Sequence, residues 1–164
     1  MPITYRQGAV GAMLDEYEKA ITELKTVIEL IPDDAITMIT DAQTADENCR
    51  SVQSILAHVV CSGFGYAVSI YNLQGHNVIR PPKFPRLSIK EYLEDLDSLL
   101  SYTVTVFNEN YPSQQFDNSV TITSRWGQIY DAEQMAEHAI VHVLRHRRQI
   151  ERILIGPLAK AILH

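Results

Sequence analysis

Met13, Tyr17, Ile21, Leu24, Ile28 and Ile31 recur at spacings of four, four, three, four and three. An α-helix repeats at that period and a strand does not, so this stretch is held to an amphipathic helix. Asp15, Glu16, Glu18, Lys19 and Glu23 lie mostly off the apolar stripe. The helix reads from Gly8 to Ile31, where Pro32-Asp33-Asp34 ends it. Residues 35–48 form a polar connection to which the sequence assigns no structure.

A second helix runs from about Ser51 to Leu73. Ser51 is its natural N-cap, and Thr44-Ala45-Asp46-Glu47 is a competing capping box that would start it earlier. Gly75 ends it, and Pro81, Pro82 and Pro85 make the next stretch a loop. Ser88, with Glu91 three residues on, caps a third helix whose core face is Leu93, Leu96, Leu100 and Phe107; Tyr111-Pro112 stops it. Residues 116–130 alternate around Val120 and Ile122 like a short strand or extended arm, with a turn at Trp126-Gly127. Asp131 and Gln134 open a last long helix to about Ile155, ended by Gly156-Pro157, and a short tail follows. The expected fold is all-α: one domain over residues 1–164, a four-helix bundle with a short extended segment before the last long helix.

With 164 residues, 46 % of them hydrophobic, the chain can bury a real core. Its net charge of −6 disfavours nucleic acid and acidic membrane surfaces as partners. Arg145, Arg147, Arg148 and Arg152 spread around their helix and read as a solvated, ion-paired face. Two cysteines do not make a disulfide framework. No N-terminal signal and no run of roughly 20 apolar residues is evident. A soluble protein of the cytoplasm is therefore expected.

The last long helix carries His138, His142 and His146. Each step of four residues turns about 40° and rises about 6 Å, so the three share one narrow stripe with Met135, Gln149 and Ile153. Two histidines at i and i+4 can chelate one metal ion, whereas the outer pair, about 12 Å apart along the axis, cannot easily share it. One adjacent pair therefore binds, and the third ligand comes from elsewhere. His58 is the best candidate, because Ser51, Ser54, Ile55, Cys61, Ser62 and Gly65 on its stripe read as small and leave room for a cavity. A lone buried histidine is ordinarily structural, and a histidine row can be an exposed polar face; it is the combination that points to metal. Three neutral imidazoles with open positions describe a catalytic type of site, suited to zinc or nickel. The sequence argues against a ferritin-like di-iron centre, since the residues three before the histidines are Met135, Ala139 and Val143, not glutamate.

The segment Ser51-Val-Gln-Ser-Ile-Leu-Ala-His58 resembles the S-x-x-E-I-L-A-H opening of helix two in the DinB/YfiT-like superfamily. His142-Val-Leu-Arg-His146-Arg-Arg-Gln149-Ile150 resembles that superfamily's H-x-x-x-H-x-x-Q-I on its last bundle helix. Ser54 replaces a frequent Glu, Arg50 a frequent Trp and Arg148 a common Gly, and none of these removes a ligand. The resemblance implies one divalent ion on His58, His142 and His146, with His138 one turn outside that set, and a homodimer. It also implies a small-molecule substrate and thiol-dependent S-transfer to an electrophile in stress or detoxification, with a low-molecular-weight thiol as co-substrate. Hydrolysis by metal-activated water and a non-catalytic metal-binding bundle are the alternatives. No H-E-x-x-H motif supplies a general base, and Glu137 and Glu151 point away from the histidine stripe, which favours thiol chemistry. Cys61 is a possible fourth ligand or reactive thiol but reads more simply as a small buried hydrophobe. Trp126 and Tyr130 can line a pocket mouth; we read them as core anchors.

Overall fold

A computed structural model describes residues 4–124 and 126–162. Its long helices are α1 (Gly8–Ile28), α2 (Val52–Leu73), α3 (Ile89–Asn110) and α4 (Ala132–Ile155). Three of the four begin where the sequence places a cap. Ser51, Ser88 and Asp131 each accept a hydrogen bond from the backbone N–H three residues on, and the side chains of Ser54, Glu91 and Gln134 reciprocate. These reciprocal pairs satisfy donors that a bare helix end leaves open. The rival start at Thr44 is not used; Asp46 there caps only a short 3-10 turn, Glu47–Cys49.

α1 stops at Ile28, short of the expected Ile31. Pro32 disfavours helical backbone in the residue before it, and the chain tightens into i to i+3 bonds from Leu30 and Ile31 to Val27 and Ile28. Ile31 is still buried. The stripe of α1 is also centred differently: Val10, Leu14, Tyr17, Ile21, Leu24 and Ile28 are buried, and Met13 sits at its edge. On α3, Tyr92, Leu96, Leu99 and Val106 form the core line, with Leu93 and Leu100 half-buried beside it. The expected tail is instead helical in part. Pro157, lacking an N–H, starts the short helix α5 (Pro157–Ile162), which folds back on α4 and buries Leu158.

α1 packs against α3 and α4, and α2 packs against the same two. The helices therefore follow one another around the bundle as α1, α3, α2, α4. Residues 29–51 and 111–131 cross diagonals, and residues 74–88 join neighbours. The second diagonal carries a two-stranded hairpin, β1 (Ile122–Thr123) and β2 (Ile129–Tyr130), antiparallel with Ile122 opposite Tyr130. Gly127 takes φ +85 in its turn, a conformation that glycine adopts without strain. α2 is long and apolar enough to match a membrane span by length and composition, contrary to the sequence expectation; more than half of it is buried inside the bundle. Of the four clustered arginines, Arg147 alone is ion-paired among the described residues, with Glu23 and Glu151.

Candidate metal centre

Because α2 and α4 are neighbours, the face of α2 that carries His58 meets the histidine stripe of α4. The ring centroids of His58, His142 and His146 lie 4.9 Å, 5.1 Å and 4.5 Å apart. One nitrogen from each ring falls within 4.8 Å of the others. The tightest pair is His58 Nε2 and His142 Nε2, at 3.0 Å. Two nitrogens on one tetrahedral zinc ion, with bonds of about 2.0–2.1 Å, would stand roughly 3.3 Å apart, close to this spacing.

The far sides of two rings are held. His146 Nδ1 donates to Gln149 Oε1 at 3.0 Å, which leaves Nε2 as the ring's lone-pair atom. His58 Nδ1 faces Ser62 Oγ at 3.4 Å. Partners of this kind orient metal-ligating imidazoles. The rings are also kept neutral, as ligation requires. Burial, helped by His146 and His58, pushes His142 down to about 3. Burial, then His146, lowers His58; burial lowers His146 against the opposing bond to Gln149. The residues present thus fit a borderline divalent cation such as zinc.

That neutrality has a consequence for the metal-free protein. The unfolded chain protonates these imidazoles below their ordinary 6.5, while the folded chain takes up those protons only at lower pH, His142 well below it. The contribution of His142 to stability is full above pH 6.5 and is lost as pH falls toward 3; His58 and His146 act in the same direction. Each proton taken up only on unfolding steepens the dependence by about 1.4 kcal/mol per pH unit. The melting temperature of metal-free protein should fall between pH 6.5 and pH 4.5, and fall less in His142→Gln. Equal slopes in the two proteins would show that His142 is not a source of the dependence.

His138 stays outside the triad. Its ring stacks on Trp126, centroids 5.4 Å apart, and meets Tyr66 and Tyr130 edge-on. Cys61 is buried with its thiol toward the Pro81 carbonyl, away from the histidines. Glu137 is exposed and Glu151 is taken up by Arg147. Trp126 corrects the expectation of a core anchor: it is 51 % exposed. The hairpin holds it at the rim of a cleft of about 470 Å³ that also includes His58, Ser62, Tyr66 and Met135. Tyr130 is half-buried and lines a separate groove with His138.

The connection of residues 35–48 that the sequence left without structure leads into this site. Asp46 accepts from Asn48 N and Nδ2, both at 2.9 Å. Cys49 Sγ lies 3.6 Å from Asp46 Oδ2 and 3.8 Å from Gln149 Oε1. Gln149 thus touches both the His146 ring and the loop. Its position three residues after His146 was the available signal; nothing in the sequence pointed to Cys49. Comparisons with protein-family models, curated proteins and solved structures find no match for the chain.

Proposed function

We propose that this protein is a metal-dependent S-transferase of the DinB/YfiT-like kind, joining a low-molecular-weight thiol to a small electrophile. His58, His142 and His146 would hold the ion, zinc or nickel, and the cleft beside His58 would hold the reactants. The observation that carries the reading is the composition of that cleft. His58, which meets His142 and His146 in the triad, lines it, yet no aspartate or glutamate does among the described residues.

Hydrolysis requires a group that takes a proton from water. The carboxylate nearest in influence to the histidines is Asp46, and the hydrogen bonds from Asn48 hold its carboxyl below the ordinary range. A carboxylate so stabilised is a poor base at neutral pH. Thiol chemistry asks less of the protein, because a thiol gives up its proton near neutrality once a cation is close. A divalent ion on the three imidazoles supplies that charge. The released proton goes to solvent. The sulfur lone pair forms the new carbon–sulfur bond, and the leaving group departs with the electrons of the bond it breaks. Trp126 and Tyr66 offer aromatic surfaces that exclude water from an apolar electrophile.

Zinc-loaded protein is expected to accelerate thioether formation between a small thiol and a chlorinated nitrobenzene, and metal-free protein to lose that rate. Ester hydrolysis without thioether formation would replace this reading with metal-activated water. No rate with any of several thiols, with the ion confirmed in place, would leave a metal-binding bundle.

A further inference from the structure

We infer that the cleft is built for an elongated carboxylate, with Arg80 as the group that binds its anionic end. The inference rests on the proposal that this cleft holds the substrate, and it narrows the substrate's class.

Arg80 lines the cleft together with His58, yet lies well along α2 from it. Its side chain crosses α2 at Gly65: a Cβ added at Gly65 would stand 2.9 Å from Arg80 Cδ and 3.4 Å from a guanidinium nitrogen. Any larger residue at Gly65 would press on the arginine. Gly65 is seven residues beyond His58, about 10 Å along the helix axis. Along α2 the cleft runs from His58 to Asn72, and Arg80 crosses it about midway, a cation at about that separation from the histidine. Trp126, Met135 and Val78 add apolar lining.

The arginine is also held in place and left without a counter-charge. Asn72 on α2 bonds both backbone groups of Val78, donating to its carbonyl at 3.0 Å and accepting from its N–H at 2.9 Å. That clamp fixes the strand of chain two residues before Arg80. Arg86 and Arg6 each have carboxylate partners, Asp95 for the first and Asp15 and Glu18 for the second. Among the described residues Arg80 has none. Lys83, further along the same loop, is tied to Asn48 Oδ1 at 2.8 Å. In a chain with 20 acidic residues against 14 basic ones, a half-buried arginine without a carboxylate is out of step with its surroundings. A guanidinium presents paired N–H groups that match a planar carboxylate, and the overall negative charge makes such a local cation necessary for an anion to settle there.

The test uses the full chain without metal or thiol, so that it does not depend on S-transfer. Trp126 is the single tryptophan, and its fluorescence reports the cleft. Phenylbutyrate and the neutral phenylbutyramide have the same apolar body and differ at the head. The acid is expected to bind at least about tenfold more tightly than the amide, in keeping with a charge-assisted hydrogen bond. Arg80→Gln should erase that preference while leaving the melting temperature unchanged, and Arg80→Lys should keep part of it. A wild-type cleft that does not prefer the acid, or a preference that survives Arg80→Gln, overturns the inference. If the preference depends on Arg80 but zinc-loaded protein forms no thioether, the S-transfer reading fails and the carboxylate site stands.

Discussion

Untagged protein is expected to carry about one divalent ion per chain, and its His142→Ala variant essentially none. His142 is the member of the triad that joins the other two. Its Nε2 stands 3.0 Å from that of His58, and its ring is 4.5 Å from that of His146. Without it the site is one ring from α2 and one from α4, with the centre between them left to water. Removing an outer-shell partner alone typically weakens metal binding about 10–100-fold, so loss of a ligand should exceed roughly 100-fold. The control is His138→Ala. His138 lies on the same stripe, but its ring is stacked on Trp126 and is absent from the cluster of converging nitrogens. It should retain the ion. Elemental mass spectrometry on the three proteins decides the matter. An ion kept by His142→Ala, or lost by His138→Ala, would mean that the ligand set is wrong.

The His142–His146 pair was legible because it depends on helix periodicity alone. His142 and His146 are one turn apart on any helix, and the caps at Ser51 and Asp131 set α2 and α4 correctly. What periodicity cannot supply is which helices are neighbours. That depends on how the connections cross the bundle, and the adjacency of α2 and α4 is what brings His58 to the pair. The errors at helix ends have local causes. Pro32 acts on the backbone before it, so the turn tightened ahead of Ile31; Pro157 acts as a first helical residue, so it began a helix rather than a tail. The role of Trp126 was missed because its place is set by the hairpin turn, beside Gly127 at φ +85, where no helical period indicates which residues face inward. Small residues on the His58 face were a sound sign of space: Ser62 and Gly65 do line the cleft. Cys61, on the same stripe, serves packing instead, and Asp46 and Cys49 reach the site through a loop with no repeating pattern.

Leu96→Ala is expected to destabilise the fold by about 3 kcal/mol, within the range for a fully buried leucine. Leu96 is 0 % exposed on the core line of α3, in the same cluster as Tyr92 and Leu99. The lost transfer energy and the cavity left behind add together, since the neighbours come from several helices and cannot all close in. In a chain of this size such a change should lower the melting temperature by roughly 6–12 °C. α3 supplies none of the three histidines, so the variant should still bind one ion, and zinc should raise its melting temperature by as much as it raises that of the parent. Ligand binding stabilises through its affinity for the folded state, whatever the stability of that state. Val141→Ala, on the exposed side of α4, should change stability by no more than about 0.5 kcal/mol. Thermal melts of both variants with and without zinc separate the possibilities. A Leu96→Ala loss that vanishes when zinc is bound would show that the core of α3 and the histidine cluster form one cooperative unit, and that the scaffold cannot be altered independently of the site.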